Sequence, residues 1–339
     1  MSSSFTHTLR AGAFGFAAML AGCVQPAMAP QAASNPSTVE AHVERARQLA
    51  GEDLRHLMRL CQAQPAERAK PSAAMDEGLK RLIAKPAPPP MQVFDNLYFV
   101  GGDWVSAWIL KTSAGLVLID ALNNADEARD LIEGGMAKLG LDPRQLKTII
   151  VTHGHGDHYG GARYLVGKYR PRVVASEADW NMMAGTLEFD SAAWDRPPTR
   201  DVSVREGETM TLGDTTLTYY VTTGHTLGTL SLVFDVRAGG RTHRALLWGG
   251  TSFNFGKDFS RLASYTENTE RMRKLAASQP IDVMLSNHPE WDGSIAKMNA
   301  LRAGGAGAPN PFVTGPQGVG RAMQVMGECA RAQAGRFGY

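Results

Sequence analysis

Along the first quarter of the chain the apolar positions change their pattern three times. An unbroken apolar run fills residues 11–22 behind the basic Arg10. It is too short for the ~20 residues that cross a bilayer and has the length of a signal-peptide core. Residues 24–37, rich in Ala, Pro, Gln and Ser, carry no apolar period and read as a flexible tether. From Ser37, with Glu40 three positions on in the manner of a capping box, Val43, Ala46, Leu49, Leu54, Leu57 and Leu60 recur at roughly helical spacing. That spacing predicts an amphipathic helix to about Cys61. Four prolines within 86–90 exclude helix there and separate an N-terminal helical extension, 38–90, from a main domain that starts near Met91.

Beyond Met91 the pattern shortens. Runs rich in β-branched, aromatic and aliphatic residues at 92–100, 105–112 and 116–120, parted by glycines at 101, 102 and 115, predict a β-meander. A helix over 125–139 stops at Gly140, and 147–152 is a continuous apolar strand. Further strands are expected at 172–175, 215–221, 229–236, 243–248 and 282–285, with helices near Tyr159, Glu177, Tyr265 and Ser294. The fold class is therefore α/β, and no period of 20 to 50 residues suggests a solenoid. Residues 303–339 form a C-terminal helical extension with a last helix over 319–332. The glycines at 315, 318 and 320 have neither a preceding strand nor a Lys-Ser/Thr pair, so they mark a helix entrance rather than a phosphate loop.

Composition narrows the partners. Hydrophobic residues at 43% and charged residues at 20% are ordinary globular usage. Lys and Arg number 35 against 33 Asp and Glu, a net +2 that offers no general polyanion surface, so nucleic acid is not an expected partner. The three cysteines, Cys23, Cys61 and Cys329, form no CxxC pair, which excludes a thiolate zinc ribbon or a thioredoxin-type site. Leu20-Ala21-Gly22-Cys23 resembles the bacterial lipobox, making 1–23 a signal peptide whose cleavage leaves a lipid-carrying Cys23. The expected location is the periplasm, anchored to the outer membrane through Cys23. Ordinary cleavage near Ala29 is the alternative, with Pro30 a poor residue to follow it. With Cys23 lipidated in an exported protein, Cys61 and Cys329 are the remaining pair, and a disulfide between them follows.

Five of the nine histidines fall in three short segments. Thr152-His153-Gly154-His155-Gly156-Asp157-His158 sets three imidazoles and a carboxylate at the end of a buried strand. Imidazole nitrogen and carboxylate oxygen are good zinc ligands. Gly154 and Gly156 are expected to allow backbone dihedrals that a larger residue resists, letting the ligands converge. Four such groups in one loop are awkward for one tetrahedral ion, so further residues must complete either one site or two. His225, in a glycine-bracketed turn, and His288, after a strand, are the further candidates.

His-x-His-x-Asp-His, then Gly-His-Thr-x-Gly, then a strand-end His resembles the metallo-β-lactamase superfamily over residues 91–302. The resemblance implies an αββα sandwich, two mixed β-sheets face to face with helices on both outer faces, and a metal site at one edge. Glyoxalase II, lactone hydrolases and tRNA-processing nucleases of that superfamily typically carry an aspartate after the strand equivalent to 245–248. The first two lactamase subclasses use cysteine there. This chain has Gly249, Gly250 and Thr251, so it is most similar to the third, B3-type subclass. That likeness implies two zinc ions, one held by His153, His155 and His225 and the other by Asp157, His158 and His288.

The chemistry implied is attack by a metal-bound hydroxide on the carbonyl of a β-lactam ring, with Asp157 both ligating and orienting the nucleophile. No Gly-x-Ser-x-Gly elbow offers a serine alternative. The subclass often grips the substrate carboxylate with two serines just past the missing bridge. The local run Thr251-Ser252-Phe253-Asn254 leaves Thr251 and Asn254 for that task, without a Lys or Arg clamp. Trp104, at the tip of a loop over 101–106, and Phe189 and Trp194, in 182–198, are expected to cover the small-molecule substrate. The alternatives are a periplasmic metallo-hydrolase of the same fold acting on lactones or other esters or amides, and a scaffold with a structural ion. The last fits poorly, since structural zinc sites are normally closed and Cys-rich. The sequence leaves the oligomeric state open.

Overall fold

The computed structural model describes residues 38–305 and 307–339. The apolar leader, Cys23 and the tether lie outside the described residues. The first sheet holds seven strands that are neighbours in space in the order they occur in sequence. They are β1 (Met91–Phe94), β2 (Leu97–Phe99), β3 (Trp108–Thr112), β4 (Gly115–Ile119), β5 (Leu146–Ile150), β6 (Arg172–Ser176) and β7 (Val202–Val204). β1 to β4 form the antiparallel meander, and β4 to β7 run parallel. The second sheet, ordered β12-β11-β10-β9-β8, comprises β8 (Thr209–Leu212), β9 (Thr215–Val221), β10 (Leu230–Ala238), β11 (Arg241–Trp248) and β12 (Val283–Ser286). It is antiparallel except where β12 joins β11. Both sheets are thus mixed.

Alternation along each strand sends successive side chains to opposite faces, and here both faces are apolar. Between the sheets, Phe99, Trp108, Leu110, Val117 and Ile119 meet Tyr219, Leu232, Phe234 and Leu247. On the outer face of the first sheet, Ile109, Leu118, Ile149 and Val173 receive Ile132, Met136, Leu165 and Trp180 from helices. On the outer face of the second, Val233, Leu246 and Trp248 receive Leu262, Tyr265, Met323 and Met326. The latter come from the helices Phe259–Ser278 and Gly315–Arg336. The layers are those of the αββα sandwich. The indole of Trp108 also donates to the carbonyl of Ser286 at 2.9 Å, tying β3 to the end of β12 beside the site described below.

Several elements differ from expectation. The first helix stops at Ala50, because Gly51 turns the chain with φ +55°, and a 3-10 turn, Arg55–Cys61, completes the run. The stretch 92–100 is a hairpin rather than one strand, turning at Asp95 and Asn96. A helix at Ala73–Ile83, capped by the hydroxyl of Ser72, was not foreseen; it buries no residue fully, so it leaves no apolar period to read. The last helix begins at Gly315, since Pro316 is tolerated in a first turn.

Cys61 and Cys329 are disulfide-bonded. Around them Ala46, Leu57 and Leu60 of the N-terminal extension lie in one apolar cluster with Val319, Ala322 and Met326 of the last helix. Nδ1 of His42 lies 2.6 Å from the carboxylate of Glu328 across the same contact. Nearby His56, its ring packed beside Gly293, is held down to about 4, by burial first and then by the Lys297 cation. Its neutral form is therefore favoured by folding. The stability it contributes is fully present above the ordinary histidine value near 6.5 and is lost as pH falls from there towards 4. Thermal melts from pH 7 to 4.5 should fall more steeply for the wild type than for His56→Gln. Identical slopes would remove His56 from the account.

Candidate metal centre

The segment after β5 is fixed before any histidine is reached. Asp120, just past β4 with φ +62°, accepts from the backbone nitrogen and the hydroxyl of Thr152, both at 2.8 Å. A left-handed conformation at a non-glycine residue costs energy and recurs at functional sites. Gly154 donates to Asp179 at 2.8 Å, and the same carboxylate accepts from the hydroxyl of Thr226 and the nitrogen of Gly228 in the His225 turn. One buried aspartate thus holds the two candidate ligand loops together.

The two glycines serve a purpose other than the one expected. Neither has a positive φ. A Cβ at Gly154 would stand 2.5 Å from Met182, and one at Gly156 would stand 2.4 Å from the Trp194 indole. They are needed for close approach of the covering side chains, not for backbone freedom.

Six residues converge. Potential ligand atoms of His153, His155 and His225 lie within 4.8 Å of one another, as do those of His153, Asp157 and His158. His288 faces His158, with Nε2 to Nε2 at 3.2 Å. The Nδ1 atoms decide the tautomers. Those of His153, His225 and His288 lie 2.7 Å from the carbonyls of Gly249, Ser252 and Trp104, and that of His158 lies 2.8 Å from Asp120. Carbonyls and carboxylates only accept, so these Nδ1 atoms carry protons, and wherever the ring is neutral its Nε2 presents a lone pair.

Nε2 of His153 and of His225 then face each other at 3.1 Å, lone pair to lone pair, and Nε2 of His158 faces that of His288 at 3.2 Å. Such pairs repel unless a cation lies between or beside them. Burial, and then the neighbouring imidazoles, keep His153 and His225 well below the ordinary range and hence neutral. Burial also opposes charge on His158, but Asp157 and Asp120 on its two sides outweigh it and raise the group to about 10. That corner demands positive charge. Burial would likewise protonate Asp157, yet His158, His288 and His155 hold it well below the usual carboxylate range. A buried, ionised carboxylate among inward-facing imidazole lone pairs fits a divalent cation with nitrogen and oxygen preferences.

The covering residues also assemble. The Phe189 ring stands edge-on to His155 at 4.9 Å, and the Trp104 ring lies 5.8 Å from His288. Trp194 is anchored by its indole nitrogen to Asn123 at 2.8 Å. Thr251 is buried with its hydroxyl unpartnered. Asn254 is exposed and makes no hydrogen bond to the six among the described residues. Phe253 turns away into the core against Tyr265, at 4.8 Å.

Sequence reasoning missed Asp120, Asp179, Asn287, Glu188 and Arg261. Asn287, buried beside His288, donates to the Gly249 carbonyl at 2.7 Å and to Thr152 at 2.9 Å. It also missed a cation near the site. The guanidinium of Arg68 lies 5.9 Å from the Phe189 ring, its segment held by a hydrogen bond from Lys257 to the Ala66 carbonyl at 2.7 Å.

The sequence model of the metallo-β-lactamase superfamily matches residues 100–241. A crystal structure of a subclass B3 metallo-β-lactamase of Bradyrhizobium japonicum superposes with a TM-score of 0.61 at 31% identity, covering 70% of this chain and 90% of that one. A metallo-β-lactamase of Legionella gormanii superposes equally well, TM-score 0.61, at 23% identity over 74% of this chain and 95% of its own, a likeness of fold alone. The chain belongs to the metallo-β-lactamase superfamily. Curated relatives point to another branch of it. A hydroxyacylglutathione hydrolase of Rhodopseudomonas palustris is 32% identical over 190 residues, 56% of this chain and 66% of that protein. One of Cupriavidus taiwanensis is 30% identical over 151 residues, 44% of this chain and 49% of its own length.

Proposed function

We propose that the protein is a zinc-dependent hydrolase that opens β-lactam rings, with two ions held as His153, His155, His225 and as Asp157, His158, His288. The observation that carries this reading is the end of β11. A Cβ at Gly249 would stand 1.8 Å from the Leu230 carbonyl oxygen, and one at Gly250 would stand 2.7 Å from the His225 side chain. No bridging side chain fits at either glycine, and His158 facing His288 at 3.2 Å supports a second group of ligands completed by histidine instead.

Zinc, when bound, supplies Lewis acidity towards water and carbonyl oxygen. The chain's own residues do the rest. Asp157 is held ionised, and a carboxylate has lone pairs beyond the one a ligand bond uses, so it can orient an attacking water. Phe189 and Trp194 wall the site against bulk water. The unpartnered hydroxyl of Thr251 is available to a substrate carboxylate, and Arg68 supplies positive charge from the N-terminal extension.

Thioester hydrolysis is the second reading, favoured by the named activity of the relatives at 30–32% identity. Lactones and other esters are a third class the same site would admit. The test gives zinc-loaded protein a penicillin, a cephalosporin, a carbapenem, a simple lactone and an S-acylglutathione. Ring opening of at least one lactam class, abolished by a chelator, is expected. Thr251→Ala should act chiefly on KM, by about two- to thirteenfold for one neutral hydrogen bond of ~0.5–1.5 kcal/mol. If all three lactams survive while the thioester or lactone is cleaved, the lactam reading gives way.

A further inference from the structure

His155 differs from the other four histidines. Its Nε2, not its Nδ1, meets an acceptor, the carboxylate of Glu188 at 3.3 Å. The proton therefore sits on Nε2, and Nδ1 is the atom left to face His153 and His225. Glu188 lies in residues 185–201, the connection from the helix Glu177–Ala184 to β7 that also carries Phe189 and Trp194. Its other partner is Arg261, buried in the helix Phe259–Ser278, which donates Nη1 to Oε1 at 2.9 Å and Nη2 to Oε2 at 3.3 Å. Nε of the same guanidinium donates to the Gly224 carbonyl at 2.7 Å, one residue before His225. The Arg261 guanidinium also lies 4.2 Å from the Phe255 ring centre. An ion pair with both partners largely out of water is costly unless its hydrogen bonds are complete. Here they are spent on joining two ligand-bearing segments to the covering loop.

We propose that Glu188 is a positioning residue that couples closure of the 185–201 loop to occupation of the His153–His155–His225 site. With the loop down, Glu188 fixes the His155 tautomer and ring orientation, and the ligand trio is complete. With the loop lifted, His155 loses the one side-chain acceptor it has among the described residues, and either nitrogen can carry the proton. Arg261 keeps the anchor in place by holding Glu188 and Gly224 at once. Coupling of this kind is reciprocal: whatever the loop contributes to metal affinity, metal contributes to loop closure. The side chains that cover substrate are thereby set by the metal before substrate arrives. The inference rests on the metal reading but not on the identity of the substrate.

The test has two parts, neither of which reads activity. Hydrogen exchange of the 185–201 amides in the wild-type protein, metal-free and zinc-loaded, should slow on loading in this loop as well as in the ligand loops. Zinc affinity, measured by competition with a chromophoric chelator, should fall about 10- to 100-fold for Glu188→Ala. Glu188→Gln, whose amide oxygen still accepts from Nε2, should recover most of that loss. A wild-type loop whose exchange ignores zinc overturns the proposal without any variant having to fold. So does Glu188→Ala binding zinc as tightly as the wild type, or Glu188→Gln failing as badly as Glu188→Ala. A wild-type protein that takes up no zinc removes the metal reading itself, a separate and distinguishable failure.

Discussion

Replacing Asp157 by alanine should lower kcat by roughly 10²- to 10⁴-fold, the range for losing a positioned proton-handling group. It should also bring metal content down from about two ions per chain to about one. The size follows from the electrostatics of its corner. Asp157 Oδ2 lies 3.3 Å from Nε2 of His158 and 3.6 Å from Nε2 of His288, and it is one of two carboxylates that hold positive charge there. Under the proposed division of ligands, removing it leaves His158 and His288 to hold a cation with no carboxylate of their own group, Asp120 lying behind His158, while His153, His155 and His225 keep their own supports. Elemental analysis beside steady-state kinetics reads both effects. A variant with full metal content and full turnover would show that the ligand roles are wrongly divided.

The second large effect concerns stability. Cys61 and Cys329 are 268 positions apart, and closing so long a loop restricts the unfolded chain by roughly 5 kcal/mol in the chain-entropy account, the top of the usual range. Cys61→Ser with Cys329→Ser should therefore lower Tm on the order of 10 °C for a domain of this size. Metal content should be unaffected, since no ligand lies in either helix. Arg68 sits seven residues beyond Cys61, so substrate KM is expected to rise as well. An unchanged melt would mean that the apolar contacts of Leu57, Leu60, Ala322 and Met326 already hold the extension down unaided.

Most of the sandwich was legible because its strands are nearly continuous apolar runs between glycines. β9 matches its expected range of 215–221, and β6, β11 and β12 lie within two residues of theirs. β7 and β8 were missed. Val202–Val204 has only three residues, and β8 alternates exposed with half-buried positions, giving no apolar run. The six inward-facing groups were legible because their chemistry is written in the spacing of three segments. Their supports were not. Asp120, Asp179, Glu188, Arg261 and Asn287 are single polar residues in five separate elements, and only the folded packing brings them to the ligands. The reason for Gly154 and Gly156 was hidden in the same way, because Met182 and Trp194 are remote in sequence.

The sealed end of β11 also limits which neighbouring sequences are accessible by mutation. Superfamily branches with a bridging aspartate carry it just after this strand, where the chain has Gly249, Gly250 and Thr251, and two of those three positions are closed to a side chain. Here the space is taken by the Leu230 carbonyl and by the ring of His225. A single Gly250→Asp change would push His225 out of line before its carboxylate reached the centre, and Gly249→Asp would have to move the β10 backbone. At either glycine, passage between the bridged and unbridged forms of the site therefore requires coordinated change in a strand or a ligand loop. A lineage that has arrived at these glycines can reshape its covering loops residue by residue, but it cannot place a bridge at either glycine in one step.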